Sequence, residues 1–222
     1  MYRLPIHLPV KAFSALLIML STLTAFAGGI TDTLRKYEPD GRWMVRLMGQ
    51  RVTPIDLSSE ISVIGGRLDT PPKSVASLDL SYFVTDYWSV ELQGGPFSRS
   101  YRIVGSKAGT FDVGTISNVA ASMAVLYHIS PQSQISPYIG VGFSHAWVKG
   151  IERAEGIPQF RVKDVTSAIV CLGIDYKIDR KWLFSAGLRY IMSPDYTFDG
   201  DGFKSTVSMN TLMTGAGVGF RF

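Results

Sequence analysis

The chain has 222 residues, room for one domain or at most two, with 46% hydrophobic and only 18% charged residues and a formal charge of +4. Soluble domains average roughly 25% charged residues, so this surface is short of charge. Yet after the N-terminal segment no apolar run of about 18 residues offers a spanning helix, and no basic stripe suggests nucleic acid.

The N-terminal stretch "MYRLPIHLPVKAFSALLIMLSTLTAFAGG" sets Arg3 and Lys11 before an apolar segment at 12–26, ending in Ala25-Phe26-Ala27. Basic flank, short apolar core and small-x-small site predict a secretory signal peptide over 1–27, removed after Ala27. The remaining 28–222 read as one barrel domain. Cys171 is the sole cysteine, so no internal disulfide forms, and it reads as a small packed side chain.

Eight segments alternate apolar and polar residues, at 41–52, 75–84, 88–103, 115–129, 136–148, 163–178, 182–192 and 207–222. Their connections alternate too. Thr85-Asp86-Tyr87, "SPQSQI" and Asp179-Arg180-Lys181 are short, whereas 53–74, 104–114, 149–162 and 193–206 are long and rich in Gly, Pro, Asp and Ser. Short turns on one side and long loops on the other predict an all-β fold, an eight-stranded antiparallel up-and-down transmembrane β-barrel with its short turns in the periplasm.

Aromatic residues recur at the short-turn level. Trp43, Tyr82, Trp88, Tyr127, Tyr176, Trp182 and Phe222 share a face with aliphatic neighbours and form the expected membrane-interface girdle. Tyr138 has the opposite parity, which leaves an inward ring or a bulge. The ending "MTGAGVGFRF" alternates Ala216, Val218, Phe220 and Phe222 with Gly215, Gly217, Gly219 and Arg221, so this strand runs to the final residue. Pairing it with the first strand would leave no open edge, as lipid requires.

The same parity turns Arg46, Asp79, Glu91, His128, Asp175 and Arg189 inward. An eight-stranded barrel is barely wide enough for its own side chains, so these charges must pair; they read either as purely structural pairs or as a polar plug low in the barrel, blocking a straight aqueous pore. Met44, Met48, Phe83 and Phe97 are expected to give an apolar lumen above it. Pro96 cannot donate to a ladder. It marks either a side opening, through which an apolar solute leaves the lumen for the lipid, or a bulge near the outer end of its strand.

The stretches "WMVRLMGQRVTP" (43–54), "YFVTDYWSVEL" (82–92), "LYHISPQSQISPYIGVGFSH" (126–145), "GIDYKIDRKWLFSAGLRYI" (173–191) and terminal "GVGFRF" together resemble the outer-membrane protein W (OmpW) family, including its alkane-uptake relatives. The resemblance covers essentially the whole chain after the signal peptide, in order. It implies a narrow, largely apolar barrel in the outer membrane of a Gram-negative bacterium, a channel associated with passage of small hydrophobic molecules. Expected partners are outer-membrane lipid, small hydrophobic solutes and the assembly machinery that recognises a C-terminal strand.

Two rival functions remain in view. An enzyme of the outer membrane would need a serine or histidine pair near the outer rim; Ser144 and His145 are neighbours on a strand and point to opposite faces, so no catalytic site is expected. With His128 and His145 on different strands and no cysteine partner, no metal or other cofactor is expected either. The alternative is a plugged structural or adhesive barrel whose extracellular loops bind partners, which apolar loop sequence such as "PIDLSSEISVIGG" suits equally.

Overall fold

Period-two alternation governs the long strands of the computed structural model, which describes residues 41–61, 65–200 and 203–222. The expected signal peptide lies outside the described residues. The strands are β1 (Trp43–Ile61), β2 (Arg67–Asp69), β3 (Lys73–Phe83), β4 (Trp88–Ser106), β5 (Gly109–His128), β6 (Ile135–Arg153), β7 (Phe160–Val162), β8 (Val165–Lys177), β9 (Trp182–Met192), β10 (Tyr196–Gly200) and β11 (Phe203–Arg221).

Eight of these, β1, β3, β4, β5, β6, β8, β9 and β11, pair antiparallel in that order. Strand β11 then returns to β1, with Met44 opposite Arg221 and Leu47 opposite Val218, and closes an eight-stranded barrel. At the rim, Trp43 and Phe222 exchange both backbone hydrogen bonds, at 2.9 and 2.8 Å. Phe222 is therefore still part of the wall.

Sequence parity becomes inside and outside. On β1, Met44, Arg46 and Met48 are buried while Leu47 is 58% exposed. Leu78, Val141 and Phe184 likewise stand outward, 57%, 61% and 53% exposed. Such a continuous apolar exterior is intolerable in water and is what acyl chains require. Trp43, Trp88, Tyr176, Trp182 and Phe222 are exposed at the short-turn end, and ring contacts of 4.8 Å (Trp43 with Tyr82) and 4.9 Å (Trp88 with Tyr127) continue the belt.

Tyr138, the ring of opposite parity, points inward and is buried. Glycine makes room for it: a Cβ at Gly173 would sit 2.3 Å from the Tyr138 ring, and one at Gly187 would sit 3.0 Å from its hydroxyl. The short turns are held by side chains mimicking backbone acceptors. Thr85 Oγ1 accepts from the amides of Tyr87 and Trp88, and Asp179 accepts from those of Lys181 and Trp182, both at 2.7 Å. Those two amides hold the Asp179 carboxyl below its ordinary range.

The expected loops need correction. Residues 104–114 are mostly a continuation of the β4–β5 hairpin, which turns only between Ser106 and Gly109, and β1 and β6 also run well past the expected ends at 52 and 148. Gly, Pro, Asp and Ser made these stretches read as loop, yet the ladder continues through them and Ile103, Val113 and Ile151 pack inward against an apolar cluster.

The wall is tight where β11 passes β1. A Cβ added at Gly217 would lie 2.0 Å from the Leu47 carbonyl and 2.8 Å from Met48 Cα. Gly217→Ala is expected to destabilise the barrel by about 1–3 kcal/mol, whereas Ala216→Val, on the exposed face, should be nearly neutral. Urea unfolding in detergent micelles, followed by the folded-band shift in unheated gel electrophoresis, measures both.

Candidate functional site

The lower lumen is ionic. Arg46, 1% exposed, donates from Nη1 to Glu91 at 2.9 Å and to Ser81 at 3.0 Å, from Nη2 to Asp175 at 2.8 Å, and from Nε to Ser185 at 3.0 Å. Glu91 is shared: its second oxygen accepts from Arg189 at 2.6 Å. Arg189 also donates to Gln93 at 2.7 Å and Ser122 at 2.8 Å. Gln93 in turn donates to Asp79 at 2.8 Å. Five of the six charged or titratable residues expected in the plug thus join one network spanning β1, β3, β4, β5, β8 and β9. His128 does not; it bonds Ser89 at 3.0 Å and lies against Phe83 and Tyr138.

Each member is inward by parity. Gln93 and Asp79 are direct neighbours on β4 and β3, but Arg46 meets Glu91 and Asp175, and Arg189 meets Glu91, across non-adjacent strands, so only barrel closure brings those pairs together. Guanidinium is suited to this position because its fork meets several acceptors at once. Removing one partner would strand a buried charge, at a cost of about 3–5 kcal/mol.

Two of the apolar residues stand lower than expected. Met44 and Phe83 pack with Leu183 at the short-turn end, beneath the ionic layer, and the Arg221 guanidinium covers Phe83 at 3.7 Å. The reason is register: Met44 pairs with Ser81 and Arg221, one step nearer the rim than Arg46. Lys177 closes the same end by donating to the Pro131 carbonyl.

Above the ionic layer lies a chamber of about 150 Å³, with Arg189, Gln93 and Ser122 at its floor and Val75, Phe97, Ile116 and Met213 on its walls. Gln50, on the same wall, has a buried Oε1 without a hydrogen-bond partner among the described residues. An apolar cluster of Leu68, Ile116, Phe160 and Met209, with Tyr101 and Val148 against it, packs toward the extracellular end.

The chamber wall is incomplete on one side. Strands β3 and β4 pair from Phe83 opposite Ser89 up to Leu78 opposite Gly94, and there the ladder stops. Strand β3 continues against β1 as far as Lys73, and β4 continues against β5 through Pro96 opposite Val119 without a bulge. Residues 74–77 and 95–98 therefore face each other without a β3–β4 ladder. Lys73 Nζ reaches across to the Ser98 carbonyl at 3.1 Å. Above, β2 re-covers β4, fastened by the 2.5 Å ion pair of Arg102 with Asp69. Ala76, Gly94 and Pro96 belong to the outward face, yet they line the chamber; the cavity reaches into the wall there.

Pro96 was legible as a poor ladder residue, and its predecessors Gly94 and Gly95 were a further signal that sequence reading passed over: Gly-Gly-Pro is the weakest strand-forming triplet in β4. Lys73 and Arg102, which bound the gap, carried no signal because their partners depend on register. His145 and Ser144 point to opposite faces as expected; His145 bonds Thr166 at 2.7 Å and stacks on Trp147. Cys171 is buried opposite Arg189.

A double-mutant cycle tests the ionic layer. Arg46→Ala and Glu91→Ala should each cost several kcal/mol of barrel stability in lipid vesicles, and the double variant should cost less than their sum by about 1–3 kcal/mol. Additive losses would contradict pairing.

Comparison with known proteins accounts for this architecture. The OmpW family model matches residues 40–222. Outer membrane protein W of Salmonella typhimurium is 27% identical over 164 residues, covering 69% of this chain and 76% of that protein. Among solved structures, the crystal structure of OprG from Pseudomonas aeruginosa superposes with a TM-score of 0.69 at 20% identity, covering 83% of this chain and 98% of that one. The solid-state NMR structure of AlkL in DMPC bilayers gives 0.61 at 19%, covering 83% and 92%. The chain belongs to the OmpW family and is a β-barrel protein of the Gram-negative outer membrane.

Proposed function

We propose that this barrel is a passive channel for small hydrophobic molecules, which enter the chamber from the extracellular side and leave sideways through the β3–β4 gap into the membrane. One observation carries the reading. The chamber is blocked below by ion pairs and breached beside Pro96, so the easiest exit for an apolar solute is the lipid itself. Straight passage would force it through a layer of desolvated charges at a cost of several kcal/mol. The lateral route keeps it in apolar surroundings throughout.

Backbone chemistry supports the same route. In hydrocarbon an unpaired N–H or C=O costs several kcal/mol, so a missing ladder in a barrel wall is an expensive feature. Proline at the gap removes one donor outright, and the small residues Ala76, Gly94 and Gly95 leave the passage unobstructed. Delivery of the barrel to its membrane would follow from removal of residues 1–27 and recognition of the final strand, with its exposed Phe222, by the outer-membrane assembly machinery.

The test is to close the gap. Continuing the β3–β4 register sets Ala76 opposite Pro96, so Ala76→Cys with Pro96→Cys, joined by a short thiol cross-linker, spans it. Cross-linking should lower uptake of a neutral hydrophobic probe into cells severalfold, and Pro96→Ala should lower it partially. Uptake unchanged by the cross-link, at normal expression, would refute the lateral route.

A further inference from the structure

The charged groups of the chamber are all of one sign. Arg99, Lys163 and Arg189 line it, and no Asp or Glu does so among the described residues. Arg189 is already engaged by Glu91, Gln93 and Ser122. Arg99 is not. It is half-buried and inward on β4, and its hydrogen-bond partner among the described residues is the Met209 thioether, 3.1 Å from Nη1. A guanidinium carries five donors and a thioether is a weak acceptor, so among the described residues most of the donor capacity is unused while the charge is partly removed from water.

Phe97 is the next inward residue toward the floor on the same strand, and Val75 stands across the gap from it. The chamber therefore offers a cationic fork next to an apolar slot that leads to the breach beside Pro96.

On the reading that the chamber admits hydrophobic molecules, which this inference presupposes, we infer that its preferred occupants are anionic amphiphiles: carboxylates of medium chain length, head on Arg99 and tail along Phe97 toward the β3–β4 gap. The carboxylate matches the guanidinium fork two oxygens to two N–H groups, and its charge offsets that of a cation with no counter-ion among the described residues. An alkylammonium of equal length fits the slot equally well but meets a lumen lined with like charge, and a neutral alcohol is intermediate.

The full barrel in lipid nanodiscs, titrated calorimetrically at neutral pH with octanoate, octanol and octylammonium against empty nanodiscs, separates these cases. Octanoate should bind about tenfold tighter than octylammonium, the worth of one charge-assisted hydrogen-bond pair. Arg99→Gln should abolish that preference while leaving octanol binding unchanged, and Arg99→Lys should retain part of it. If octanol binds but octanoate has no advantage, or if Arg99→Gln keeps the preference, the inference fails while the hydrophobic channel stands. If none of the three binds, both fail.

Discussion

Satisfaction of backbone hydrogen bonds in a medium without water is the constraint on which this molecule depends. An open sheet edge in hydrocarbon would expose a row of unpaired N–H and C=O groups, so the first strand must meet the last. That requirement explains the reciprocal bonds of Trp43 and Phe222, the alternation maintained to the final residue, and the glycines that let β11 lie close to β1. It also gives the β3–β4 gap its significance. Where closure is obligatory, a stretch of wall without a ladder is a feature that the rest of the barrel must stabilise.

Closure also creates the ionic layer. Arg46 and Asp175 are far apart in sequence and lie on non-adjacent strands, and the barrel brings them to 2.8 Å. In a narrow interior of low dielectric such contacts are strong, and the penalty for leaving one partner alone is stronger still. The layer thus ties together the strands around it and forms the floor of the chamber. Tyr138, resting over Gly173 and Gly187 on the neighbouring strands β8 and β9, fills the space that these small residues leave.

Much of the architecture was legible in the sequence because lipid and lumen impose opposite demands on successive residues. Val45, Leu47, Leu78 and Leu80 could only face outward, and Arg46 and Asp79 only inward. The outer strand ends were not legible, since Pro54 in β1 and Gly105 and Gly109 in the β4–β5 hairpin read as loop signals although the ladder runs through them. Height was only partly legible. Parity fixes the face of Met44 and Phe83, but cross-strand register fixes their level, and that put them beneath Arg46. The proline at the gap was visible; the extent of the gap, set by where β3 stops pairing, was not.

The lateral opening at 74–77 and 95–98 is the central claim, and amide hydrogen exchange of the barrel in lipid bilayers tests it most directly. Amides of those two stretches that point toward the missing ladder should exchange orders of magnitude faster than those of the paired stretches 78–83 and 89–94. Equal protection across both levels of β3 and β4 would mean that the wall is continuous and would contradict the account.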